Sequence, residues 1–140
     1  MRYRHEQVVS APVASVVSFF KDARNLVRLS PPFPIMRVAA DRSAVVRGTV
    51  IPINLDFGIW SMNWNARIET VGEDGSFQDT LEGSAFRSWR HLHRFETRGA
   101  GTVITDEVTW EAAWWFRPFA RAFVFALFRF RTRALAKEFG

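Results

Sequence analysis

The 140-residue chain contains no cysteine. That excludes disulfides, thiolate nucleophiles and cysteine-ligated metals, and it leaves folding to packing alone. Nor is there an apolar run of about 18 residues, the length that would cross a bilayer as a helix. Residues 1–10 are polar and lack the apolar stretch of a secretory signal, so none is expected. Glycine-rich phosphate loops, G-x-S-x-G elbows and zinc-finger spacings are all missing, as are internal repeats and low-complexity linkers. The familiar nucleotide, serine-hydrolase and zinc-finger assignments therefore have no motif to stand on.

What is present is ordinary globular composition, 48% hydrophobic and 24% charged. The length suits one domain over residues 1–140, and a chain near this size buries roughly two-thirds of its unfolded surface without staples. A soluble, cytoplasmic protein is expected. The net charge of +5 is concentrated: residues 116–140 hold six basic side chains against one acidic, and the remainder balances to zero. A nucleic-acid partner is therefore not expected from the overall basicity. One basic helix remains as a contact surface.

The order of elements follows from periodicity. Residues 1–10 alternate loosely and read as a first strand. Ser10 and Pro12 read as an N-cap and first-turn proline, and Val13, Val16, Val17 and Phe20 recur at helical spacing. Asp22 caps a second short helix, which Pro31 and Pro32 end near Leu29. Strands are then expected at 35–40, 44–55, 60–69, 77–82, 87–97 and 102–110. Gly48 and Pro52 are expected at bulge or edge positions. Residues 116–139 form a long helix whose apolar face is read as Phe116, Phe119, Phe123, Leu127, Phe130 and Ala134, with Val124, Phe125 and Phe128 off it. The fold class is α+β: a curved seven-stranded antiparallel sheet wrapped around the long C-terminal helix, with two short helices between strands 1 and 2.

The chemistry sits on the inward faces of three strands. In 87–97 the odd positions are Trp89, His91, His93 and Phe95, while Arg90 and Arg94 mark the other face as solvated. In 102–110 Asp106 lies among the apolar even positions Ile104, Val108 and Trp110. Asp79 falls between Phe77 and Leu81. A three-residue loop at 84–86 puts Asp79 opposite His91. A four-residue connection at 98–101 opposes Thr97 to Thr102. A bulge or altered loop is then expected to bring the inward faces into line, leaving His93 near Asp106. Two carboxylate–imidazole pairs follow, Asp79 with His91 and His93 with Asp106.

Three readings of these groups stay open. They satisfy one another as core pairs, they anchor a guest in an apolar cavity, or the H-x-H spacing with Asp79 or Asp106 holds a metal. No metal or other cofactor is assigned. Trp64, Trp89 and Trp110 are read as cavity wall, joined by Phe119 and Phe123 from the helix. His5 is read as structural, and Trp114 and Trp115 as a packed corner.

The stretches SAPVASVVSFFKDARNLVRLSPP (10–32), FQDTLEGSAFRSWRHLHRF (77–95), TDEVTW (105–110) and FRFRTRALAKEFG (128–140) together resemble the START-like, pollen-allergen-like superfamily known as SRPBCC. Within it they are similar to the polyketide cyclase/dehydrase-like ligand-binding proteins. Ser84 and Ala85 depart from the Gly-Pro that often precedes the Phe in relatives. The resemblance implies a helix-grip fold with an internal cavity that takes lipids, sterols, polyketides or other apolar molecules. It carries over Asp79, Trp89, His91, His93 and Asp106 as candidate cavity residues.

The leading expectation is binding of a small hydrophobic or amphipathic molecule in a pocket of at least about 300 Å³. The alternative is a cyclase-, dehydratase- or aromatase-type enzyme with His93 and Asp106 as acid and base. A third reading is a peripheral membrane or partner contact through the basic C-terminal helix. The chain is expected to be a monomer or a homodimer.

Overall fold

The structure, a computed structural model, describes residues 1–39, 41, 43–83 and 85–140. Ala40, Arg42 and Ser84 lie outside the described residues, and with them the far end of the strand expected at 35–40 and parts of two expected turns. The elements run β1 (Arg2–Val9), α1 (Val13–Phe20), α2 (Asn25–Arg28), β2 (Ile35–Val38), β3 (Val50–Asp56), β4 (Ser61–Val71), β5 (Phe77–Glu82), β6 (Ser88–Arg98), β7 (Gly101–Glu111) and α3 (Arg117–Phe139). The seven strands form one sheet in the order β1-β7-β6-β5-β4-β3-β2, every pair antiparallel. A curved antiparallel sheet has one face to bury, and α1 and α3 cover it.

The strand faces obey the two-residue period. Ile51, Ile53 and Leu55 on β3, Trp64, Ala66 and Ile68 on β4, and Trp89, His91, His93 and Phe95 on β6 are all buried. β3 begins at Val50 rather than 44. Gly48 sits before it in a turn at φ +85°, and its N–H donates to Ile68 O at 2.8 Å. Pro52 is an edge residue, because β2 pairs with β3 only from Ile53 to Asp56. Gly75, at φ +87° in the β4–β5 turn, lies where a Cβ would stand 2.6 Å from Val17 Cγ1 of α1. A Cβ there would collide with the Val17 side chain, and the positive φ strains any residue but glycine.

Two capping expectations fail. The N-cap of α1 is Pro12, with no side-chain cap, and Ser10 Oγ instead donates to Gly140 O at 3.1 Å. Asp22 accepts from Arg24 N at 2.9 Å, and α2 starts at Asn25. Ser10 thus ties down the end of α3. Arg28 of α2 (2.5 Å to Glu138) and Gln7 of β1 (2.8 Å to Thr132 O) do the same.

The apolar stripe read for α3 is also wrong by one residue. The buried positions are Ala120, Val124, Phe128, Arg131 and Leu135. Phe119 is 69% exposed and Phe125 57%, and Phe128, placed off the face, is fully buried. One residue is about 100° of helix rotation. The helix turns its small residues, Ala120 and Val124, toward the sheet and wedges Phe128 against Tyr3 and His5, with ring centroids at 5.1 and 5.6 Å. Among the described residues no helix is long and apolar enough to cross a membrane.

Candidate functional site

Three adjacent strands and α3 bring the charged residues together. β5 and β6 pair with Asp79 opposite His91, as expected. β6 and β7 pair without interruption from Ser88↔Glu111 to Arg98↔Gly101, turning over Gly99 and Ala100. The expected bulge is not there and is not needed. Inward positions are odd on β6 and even on β7, so an odd residue opposite an even one is inward facing inward. His93 stands directly opposite Asp106.

The hydrogen bonds run diagonally across this register. His91 Nε2 lies 2.7 Å from Asp106 Oδ1, and His93 Nε2 lies 2.8 Å from Asp79 Oδ2. The two expected pairs are therefore exchanged. Asp106 keeps a second contact with His93, whose Nδ1 is 3.3 Å from Oδ1 without hydrogen-bond geometry. The imidazoles stack on each other at 3.7 Å, and Phe77 stacks on the far side of His93 at 4.1 Å. Diagonal neighbours are within reach of side chains this long, and the stacking sets the rings for it.

Arg131 of α3, not among the residues expected at the site, completes the group. Its guanidinium is 3.7 Å from Asp106 Oδ1, lies over the rings of Phe20 and Phe128 at 5.2 and 5.7 Å, and is 3% exposed. A signal was there: the steps Ala120, Val124, Phe128, Arg131, Leu135 are as helical as the phenylalanine stripe. A buried Asp106 also calls for a cation.

Burial and partners set the charges. Burial and the neighbouring His93 pull His91 down to about 4, against the pull of Asp106, so it is neutral near pH 7. Two stacked imidazoles do not both charge readily. Burial also opposes charge on His93, but the carboxylates of Asp106 and Asp79 outweigh it and raise its pKa. Burial would raise Asp106. The Arg131 charge and the two histidines overcome this and hold it well below the usual carboxylate range. Asp79 is likewise lowered, with His93 overcoming burial. An ionised carboxylate only accepts, so His91 donates from Nε2 and keeps Nδ1 as its lone pair.

The cluster forms one wall of a cavity of about 130 Å³ between the sheet, α1, α2 and α3. Trp64, Asp79, Trp89, His91, His93 and Phe123 line it. Asp106 stands behind the histidines. Trp110 is buried against Phe86 at a ring distance of 5.8 Å and does not reach the cavity, and Phe119 points to solvent. Phe20, Leu127 and Arg131 line it without having been expected to. His5 is structural: its Nε2 lies 2.8 Å from Thr132 Oγ1, which itself donates to Phe128 O. Burial, its largest influence, lowers the His5 pKa. Trp114 and Trp115 are exposed rather than a packed corner.

Asp79, His91 and His93 each bring one ligand atom within 4.8 Å of the others, a donor set suited to zinc or iron. Those groups already bond to carboxylate or imidazole partners within the cluster.

With this geometry in view, comparison with known proteins places the chain. Residues 5–139 match the model of the domain of unknown function DUF8410. The chain belongs to that family. No curated protein matches it. Among solved structures, the DUF8410 chain is similar to protein CV1439 from Chromobacterium violaceum, with a TM-score of 0.79 and 12% identity over 99% of this chain and 96% of that one. It is similar to Ms6760 from Mycobacterium smegmatis, with a TM-score of 0.73 and 17% identity over 97% and 88%. It is also similar to the Zhui aromatase/cyclase from Streptomyces sp. R1128, with a TM-score of 0.73 and 16% identity over 99% and 92%. At these identities the likeness shows the fold alone, a helix-grip fold of the kind the START-like resemblance implied.

Proposed function

We propose that this DUF8410 protein binds a small apolar molecule in the cavity between the sheet and α3. The observation that carries the reading is the contrast within the cavity wall: mostly aromatic and aliphatic side chains, a few polar ones (Asp22, Asn25 and Ser30) at the α1–α2 end, and one buried charged cluster from β5, β6 and α3. Such a wall holds an apolar body and orients it by a few polar atoms. The resting volume of about 130 Å³ is below the 300 Å³ expected from the sequence. An apolar cavity of about 150 Å³ admits benzene, so the guest is a single ring or a short chain. A sterol or long polyketide would enter only with the cavity walls moved apart. This reading keeps the cytoplasmic setting expected from the sequence.

Mass spectrometry of an organic extract from freshly purified protein tests the proposal against a mock purification. A stoichiometric apolar compound of about one-ring size is expected. A clean extract, together with no binding of benzene-sized probes, overturns it.

A second reading, catalysis, is favoured by one observation: an imidazole on the cavity wall poised between two carboxylates, at 2.8 and 3.3 Å. Such a group exchanges protons readily. Because both ring nitrogens of His93 face carboxylates, a substrate oxygen would have to displace one of them. If any extracted compound is turned over, His93→Ala should abolish that turnover; unchanged turnover removes His93 from the mechanism.

A peripheral contact with an anionic membrane is proposed for the outward side of α3. There the exposed Phe119 and Phe125 lie among Arg117, Arg121 and Arg129, close in sequence to the exposed Trp114 and Trp115.

A further inference from the structure

Two hydrogen-bond donors on the cavity wall have no partner. Trp64 Nε1 and Arg131 Nε are buried without a hydrogen bond among the described residues. Trp64 is 9% exposed and Arg131 3%, and both side chains line the cavity. Trp64 comes from β4 of the sheet and Arg131 from α3. Both groups can only donate. Native proteins leave few buried polar atoms unpaired, and a wall meant only to be apolar would lose nothing by a phenylalanine at 64. The other unpartnered atoms behave differently. His93 Nδ1 faces Asp106, and His5 Nδ1 and Gln7 Oε1 belong to β1 and do not line the cavity.

The sign of the ligand follows from the cluster. Asp79 and Asp106 are faced by Arg131 and by His93, whose pKa its two carboxylates raise. Each carboxylate already has its partners within the cluster, and a further negative charge would be buried beside two others. Resting on the cavity-binding reading above, we propose that the ligand is a small apolar molecule carrying a neutral carbonyl oxygen, which accepts from the free N–H groups of Trp64 and Arg131. A carbonyl oxygen has two lone pairs and no proton to give, which matches a wall with donors to spare.

Three probes of nearly the same shape test this: acetophenone, its hydrocarbon counterpart cumene, and benzoate, each titrated into the full-length protein by calorimetry. Trp64→Phe removes the indole N–H and keeps an aromatic wall. Arg131→Lys removes Nε–H and keeps a cation near Asp106. Each variant should weaken acetophenone about tenfold, as expected for one lost hydrogen bond, and leave cumene within about twofold. Circular dichroism checks that the variants fold, and if Arg131→Lys does not, Trp64→Phe decides alone. Equal changes for acetophenone and cumene, or no change for either, overturn the carbonyl assignment while cavity binding stands. Benzoate binding more tightly than acetophenone overturns the neutral charge. If no probe binds the wild-type protein, the cavity-binding reading fails and this inference fails with it.

Discussion

The two sides of α3 are built from nearly the same residues and do different things. The inward side carries Val124, Phe128 and Arg131, and the outward side carries Phe119, Phe125 and Arg129. Phe128 is sealed between Tyr3 and His5, whereas Phe125 lies 57% exposed. Arg131 is held against Asp106 under two aromatic rings, while Arg129 lies in solvent. Residue type therefore says little about a helix that is apolar nearly all round. What lies opposite decides whether a phenylalanine is core or contact surface, and whether an arginine is a counter-ion or a solubilising charge.

The comparison breaks most sharply under substitution of matched pairs. Arg131→Met should cost about 3–5 kcal/mol, because it leaves Asp106 charged and buried without its cation. Phe128→Ala should cost about 3–5 kcal/mol through the cavity it opens. Arg129→Met and Phe125→Ala should each stay within about 0.5 kcal/mol. Urea unfolding at pH 7 measures all four, and equal losses on both sides would refute the assignment of faces.

A smaller effect sharpens the comparison through pH, because only the inward side contacts the histidines. His91 has a lowered folded-state pKa of about 4. Its contribution to stability is complete above about 6.5 and is lost as pH falls toward 4. His93 has a raised pKa, so its contribution is complete below about 6.5 and is lost as pH rises through the folded value. The wild-type advantage over His91→Gln should therefore shrink on acidification, and the advantage over His93→Gln should shrink on the alkaline side. Unfolding series from pH 4 to 9 check the signs, and parallel curves would contradict them.

The smallest effect on stability belongs to the outward side. Phe119→Ser with Phe125→Ser should leave unfolding unchanged within about 1 kcal/mol. The same pair should reduce sedimentation with vesicles containing phosphatidylserine, and added salt should reduce wild-type binding. Binding that ignores both the substitutions and ionic strength would remove the membrane contact, and a concentration-dependent dimer lost in the double variant would assign the face to a second copy.

Much of the fold was legible because strands offer only two faces. Once Arg90 and Arg94 point to water, His91 and His93 must point in, and the short connection between β5 and β6 sets Asp79 opposite His91. The register itself left less room than it was given. His93 opposite Asp106 needed no bulge, since the parity of the two strands already agreed. The pairing of acids with imidazoles was not legible. Register gives backbone neighbours, and ring stacking then sent each histidine to the diagonal carboxylate. Trp110 shows the same limit: it faces inward as read, but Phe86 fills the space before the cavity begins.

By itself, then, the sequence determined the order of elements, the antiparallel sheet with its long covering helix, and the inward faces of β5, β6 and β7, because alternation with period two allows a single choice wherever one face carries charge. The tertiary structure alone decided the rotation of α3, the burial of Arg131, the exchange of histidine partners and a cavity of about 130 Å³. Each of these depends on distances between elements far apart in the chain. A helix with apolar residues on nearly every side can satisfy its own pattern at several rotations, so only the shape of the sheet beneath it selects one.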